Sequence, residues 1–205
     1  MVRPNEGFPL KPGAYWIYQG PVKWTDMTKP GSIAERTLTW KMEVMQSMTV
    51  GQYEVAVMKG HPSDLAWFEE GKARSDYLIV RDGTKYYRLR SSEVPEPAKM
   101  ESQLNFDSIF LIVPPPKGCL ARDPEIKRDD EMYCWASDGT SMPVKLGGVK
   151  GIAPSTEFAG FELAMSTNPE SQSVAFASGI GITAYTYRHH GTVSEVDVKL
   201  VEFHP

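Results

Sequence analysis

The residues able to do imidazole or thiol chemistry are few: four histidines and two cysteines in a chain of 205. His189 and His190 are adjacent, just before Gly191. Neighbours on a strand point to opposite faces, so such a pair does not chelate one metal. His61 lies in the other half of the chain, and His204 falls at the far end of the last hairpin, so no zinc triad assembles. The pair reads as turn residues. A hydrolase using His189 or His190 would need a carboxylate or hydroxyl within hydrogen-bond reach of one ring.

Cys119 and Cys134 flank a polar excursion with Asp123-Pro124 inside it. Two readings stand: two unpaired buried thiols, or a bridge closing the excursion. The bridge is the expectation. In an oxidising compartment a bridge over about 15 residues is worth roughly 3 kcal/mol in the chain-entropy account. Asp123, Glu125, Asp129, Asp130 and Glu131 crowd the same stretch, but Lys127 and Arg128 sit among them and the calcium-loop spacing is missing. They read as a solvated loop, and no metal or cofactor is expected. Serine catalysis has no G-x-S-x-G to stand on. The glycines of Gly147 to Gly151 and of Gly179-Ile180-Gly181 open no helix, so they read as bends and not as a phosphate cradle.

Aromatic residues carry more promise. Five Trp and nine Tyr are many for one core to hold with every indole N–H and hydroxyl satisfied. Trp16, Tyr18, Trp40, Trp67, Tyr185 and Tyr187 are the candidates to line a concave sheet face that takes an apolar small molecule, a lipid or a glycan. Ordinary cross-strand packing is the competing use of the same residues.

The elements that would position them are strands. Leu38, Trp40, Met42 and Val44 alternate with polar neighbours, and after Thr49-Val50-Gly51 the alternation resumes at Tyr53, Val55 and Val57, which predicts a hairpin. Ala14 to Tyr18 forms a short strand bounded by Pro12-Gly13 and Gly20-Pro21. Asp82-Gly83, between Tyr77–Val80 and Lys85–Leu89, predicts a second hairpin closed by a type I′ turn. Phe161, Leu163 and Met165 form a strand that turns at Asn168-Pro169 into Val174 and Phe176. The last hairpin, centred on Gly191, pairs Thr186 with Val196, Ala184 with Val198 and Ile182 with Leu200. That register leaves Tyr185 and Tyr187 facing Asp197 and Glu195 on the wet side. A short helix is predicted over Ala98 to Leu104. The fold class is all-β with minor α: antiparallel hairpins forming a curved sheet, a partial barrel or a sandwich. One domain covers 1–205, with two lobes, 1–90 and 109–205, as the alternative division across a Pro/Glu-rich connector, 91–108.

Lys plus Arg number 22 against 26 Asp plus Glu, a net charge of −4 that gives no broad hold on nucleic acid. The longest apolar run, Ile109 to Val113, is far short of the ~20 residues of a membrane-spanning helix. The first residues lack the apolar stretch of a secretory signal. The expected location is periplasmic or extracellular if a leader has been removed, and cytoplasmic otherwise.

Phe8 to Tyr18 (FPLKPGAYWIY) resembles the start of mature domains in uncharacterised exported bacterial β-rich proteins, many of them lipoprotein-like. Ser178 to Tyr185 (SGIGITAY) resembles the glycine-marked entry to their last hairpin. The resemblance implies an extracytoplasmic β protein without an established activity, and it transfers no catalytic residue. The first expectation is therefore a non-catalytic binding or envelope-associated module with an aromatic-lined groove. A structural or interaction protein using a sheet edge or surface patch comes second, and a hydrolase third.

Overall fold

The structure is a computed structural model, and it describes residues 7–26, 28–29, 31–121 and 132–205. The acidic stretch 123–131 lies outside the described residues. Strands account for 55% of the chain and helices for 7%, so the all-β expectation holds. Three long strands open the chain: β1 (Tyr15–Thr25), β2 (Ile33–Val50) and β3 (Tyr53–Lys59). A 3-10 turn, Pro62–Leu65, leads to the hairpin β4 (Asp76–Asp82) and β5 (Lys85–Leu89). Helix α1 (Pro97–Gln103) follows where the sequence predicts it, then β6 (Ile109–Ile112), β7 (Lys117–Cys119), β8 (Ala136–Asp138) and β9 (Met142–Lys145). The chain ends in a meander of β10 (Glu157–Ser166), β11 (Glu170–Ala177), β12 (Gly181–His189) and β13 (Ser194–His204).

The thirteen strands of the described residues join one antiparallel sheet, running β6-β5-β4-β3-β2-β1-β13-β12-β11-β10-β8-β7, with β9 beside β10. The sheet curls but does not close. Its two flanks meet across the concave side, where Phe110 of β6 lies 6.4 Å from Phe176 of β11. The concave side is the main core, built from Trp16, Tyr18, Met42, Met58, Ile79, Leu163, Ile182 and Val198 among others. Over β3–β5 the convex side is also dry: Val55, Leu78, Val80, Tyr87 and Leu89 pack under Met100 of α1. That is why Leu78-Ile79-Val80 is apolar without alternation.

Three details depart from the sequence reading. First, β1 does not stop at Gly20-Pro21; it runs on to Thr25. Gly20 is there for closeness, since a Cβ at that position would sit 1.9 Å from the Asp197 carbonyl oxygen of the neighbouring strand. Second, the β4–β5 hairpin closes at Asp82 opposite Lys85, so Gly83 and Thr84 are its central residues. Only Gly83 has positive φ, at 58°, which is the type II′ pattern and not I′.

Third, the last hairpin is displaced by one residue. Tyr185 pairs with Val198, Tyr187 with Val196, and His189 with Ser194, so the loop is the four residues 190–193 and has no single central residue. Tyr185 and Tyr187 therefore face the core, at 1% and 3% exposure, while Thr186 opposes Asp197 on the wet side. Two Tyr rings bury far more apolar area than Thr186 and Ala184 would, so the inward assignment wins. A bulge at Thr183 then restores phase, and Ile182 pairs with Phe176 and joins the same core. Elsewhere the expected pairings hold: β2 turns into β3 at Gly51-Gln52, and Thr167 to Glu170 joins β10 to β11.

Cys119 and Cys134 are joined by a disulfide, with Cα atoms 5.7 Å apart. The bridge joins the end of β7 to the residues just before β8, the two ends of the excursion between them. Such a bond forms and persists in oxidising compartments.

Candidate functional site

Beside the core, the two flanks of the curled sheet stand apart and enclose a cavity of about 640 Å³. That is the size of a small-molecule cleft. One wall is β11–β12, which presents Glu170, Gln172, Tyr185 and Tyr187. The opposite wall comes from Arg88 on β5 and from the segment after β3 that carries His61, Ser63 and Trp67. The disulfide and the residues around it, Leu120, Tyr133 and Trp135, form part of the lining.

The segment 61–72 is held by its own hydrogen bonds. His61 caps the 3-10 turn, its Nδ1 accepting from the Ser63 backbone N–H at 3.1 Å. The Trp67 backbone N–H donates to the buried Ser194 hydroxyl at 2.9 Å, and the Lys72 ammonium donates to the Ala66 and Trp67 carbonyls. These anchors hold Trp67 at φ 54°, a left-handed conformation that a bulky residue rarely adopts. Trp67 is 47% exposed, and its ring leans on His189, 4.5 Å between centroids. Tyr133 has φ 66° and is 46% exposed. Among the described residues these are the two non-glycine positions with positive φ, and both line this cavity. Strain of this kind costs on the order of 1–3 kcal/mol and persists where the surroundings enforce it, often at binding sites.

The β11–β12 wall is polar at intervals. The Tyr187 hydroxyl donates to Glu170 at 2.7 Å, and the Tyr185 hydroxyl to the Gln172 side-chain oxygen at 3.3 Å. Burial raises both phenols above their ordinary value, and Glu170 adds to the rise at Tyr187. Deeper in, Arg88 Nη1 donates to the Ser63 hydroxyl at 2.9 Å and meets His61 Nδ1 at 3.0 Å. With an arginine donor on its Nδ1, the imidazole is neutral and carries its proton on Nε2. Burial, reinforced by the Arg88 charge, pushes its pKa well below the usual histidine range. Ser63 Oγ lies 2.7 Å from His61 Nδ1. This is not a nucleophile–base relay. Three donors crowd one Nδ1 lone pair, and among the described residues no carboxylate orients Nε2.

The aromatic candidates therefore separate into two groups. Trp67, Tyr185 and Tyr187 line the cavity. Trp16, Tyr18 and Trp40 are sealed in the core, their polar atoms bonded to the carbonyls of Ile180, Ile182 and Gly60. Of the paired histidines, His189 bonds through Nδ1 to the Thr192 carbonyl in the turn, and the His190 backbone N–H donates to the Pro169 carbonyl. No group of three metal-ligating side chains occurs among the described residues. His61, Ser63 and Arg88 were not singled out from the sequence. The available signal was Arg88 itself, a charge in phase with Tyr86 on the core-facing side of β5.

No family model matches the chain, and no curated protein matches it. Among solved structures, a Bacteroides fragilis protein classed as exported, with a YMCC-like fold, is 11% identical. The likeness covers 98% of this chain and 100% of that one, with a TM-score of 0.50. A Parabacteroides distasonis protein classed as a lipoprotein is 10% identical over 98% of this chain and 99% of that one, with a TM-score of 0.43. The Bacteroides likeness is one of fold over essentially the whole chain, and it agrees with the resemblance to exported β-rich proteins seen at Phe8 to Tyr18.

Proposed function

We propose that this protein is a non-catalytic, envelope-associated binding module that holds a small molecule between the flanks of its curled sheet. The observation that carries the reading is the pairing of a small-molecule-sized cavity with two exposed aromatic residues, Trp67 and Tyr133, held in left-handed conformations on its lining. A fold needs no strained Trp at its surface. A site that stacks on an apolar or sugar-ring face uses an exposed ring held in one place, and strained backbone clusters at such sites. The disulfide, and the fold likeness to a Bacteroides fragilis protein classed as exported, support a location outside the cytoplasm.

Native mass spectrometry of protein matured in a periplasm tests the reading. The expected result is a co-purified lipid, glycan fragment or other small apolar molecule, lost in the Trp67→Ala variant. Wild-type protein that arrives empty, and whose Trp fluorescence no aromatic, acyl or sugar probe changes, would overturn it.

A further inference from the structure

Arg88 is placed oddly for a structural residue. It is half-buried on the core-facing side of β5, opposite Ile79. Its two hydrogen-bond partners, the Ser63 hydroxyl and His61 Nδ1, are both neutral. Among the described residues no carboxylate comes within ion-pair distance. Asp64, whose charge acts on it from further away, is bonded instead to the Ser75 backbone N–H. A partly desolvated cation without a counter-charge is costly to keep, and one whose remaining donors face a cavity offers a place for an anion.

The free donors point the same way. Arg88 Nε and Nη2 have no partner among the described residues, and neither is sealed from solvent: the buried side-chain atoms without a partner are the Tyr77 and Tyr86 hydroxyls. His61 Nε2 is likewise unpartnered and unsealed. Both residues line the cavity.

We propose that Arg88, braced by Ser63 and His61, is the recognition point for a carboxylate on the bound molecule. This rests on the cavity being a binding site. A planar guanidinium fork matches a carboxylate in two parallel hydrogen bonds. Charge balance selects a monoanion over a phosphate dianion. In the described lining the second cation, Arg90, is exposed and is outnumbered by two anions, Asp107 and Glu170, so Arg88 offers one half-buried positive charge to one negative charge and a second has no partner. Glu170 and Gln172, on the facing wall, suit a hydroxyl-bearing remainder, and Trp67 a flat or apolar one.

Paired probes differing only at the acid read this directly, by titration calorimetry and Trp fluorescence. The pairs are naphthalene-2-carboxylate with its carboxamide, decanoate with decanamide, and glucuronate with glucose. They separate aromatic, acyl and sugar-acid sources of the same group. The expected result is one pair in which the acid binds about ten- to a hundredfold more tightly than its neutral partner. Arg88→Met should erase that ratio and Arg88→Lys should retain part of it, because lysine keeps the charge and loses the fork. Where Arg88→Met does not fold, Arg88→Lys and Ser63→Ala read the same ratio. Equal binding within every pair, with Trp67→Ala weakening all, would sink the carboxylate assignment and leave the cavity reading standing. An acid preference that survives Arg88→Met would also sink it. No binding of any probe overturns both.

Discussion

Two aromatic regions of this molecule use the same residue types for opposite ends. In the sealed core, Trp16 and Tyr18 are fully buried, and each places its one polar atom on a backbone carbonyl of the β11–β12 connection or of β12. At the cavity, Trp67 is half exposed and stands on a strained backbone. The core residues are where they are because burial stabilises them. Trp67 is where it is despite a local cost. Satisfaction of the polar atom does not separate the two regions, since the Tyr185 and Tyr187 hydroxyls at the cavity are bonded within the fold as well; exposure and backbone strain do.

The sharpest way to break this comparison is truncation on each side. Trp16→Ala should cost about 3–5 kcal/mol, as large core deletions do. Trp67→Ala should cost far less while abolishing ligand retention. Denaturant unfolding read by far-UV circular dichroism decides it, and a Trp67→Ala loss as large as that of Trp16→Ala would make Trp67 a packing residue.

The disulfide comes next in size. Replacing Cys119 and Cys134 by Ser should lower stability by about 3 kcal/mol, for a closed loop near 15 residues. Because the bridge belongs to the cavity and not to the core, the double variant should weaken probe binding more than its thermal melt alone accounts for. Unchanged binding would detach the excursion from the site.

A smaller effect separates His61 from the rest of the core. Its folded pKa is depressed, so below about pH 6.5 the unfolded chain takes up a proton that the folded chain refuses. Stability from this residue is complete above that pH and falls as pH drops toward the folded value. The slope is at most about 1.4 kcal/mol per pH unit. His61→Asn keeps an acceptor for the Ser63 N–H and should flatten the stability profile between pH 6.5 and 5. A profile with the same slope in both proteins would mean that His61 charges freely in the fold.

Much of the scaffold was legible because period-2 alternation is a local signal: the β2–β3 and β10–β11 hairpins and the short helix α1 stand where the sequence places them. Register was less legible. Tyr185 and Tyr187 alternate with Thr186 and Arg188, and either set satisfies an amphipathic strand. Their inward orientation depends on a four-residue loop and on Gln172 and Glu170 across the sheet to receive the hydroxyls. The polar pocket was not legible at all. His61 and Arg88 meet because the β3–β4–β5 register carries one strand back beneath the turn that follows another, and no spacing in the chain encodes that meeting.

The smallest effect is the most discriminating test of the strained rim. At an ordinary loop position glycine is less stable than alanine, because it loses more freedom on folding. At φ 54° the order should invert. Both Trp67→Ala and Trp67→Gly remove the ring, so their difference isolates the backbone. The glycine variant should be more stable by about 0.5–1 kcal/mol. Alanine the more stable of the two would mean that residue 67 relaxes out of the left-handed region once the indole is gone. The strain would then belong to the ring's own packing against His189 and Tyr187, and not to the hydrogen bonds to Ser194 and from Lys72 that hold the segment. If the inversion is found, the scaffold imposes the conformation whatever the side chain, and the ring it presents to the cavity is a feature the fold maintains at a cost.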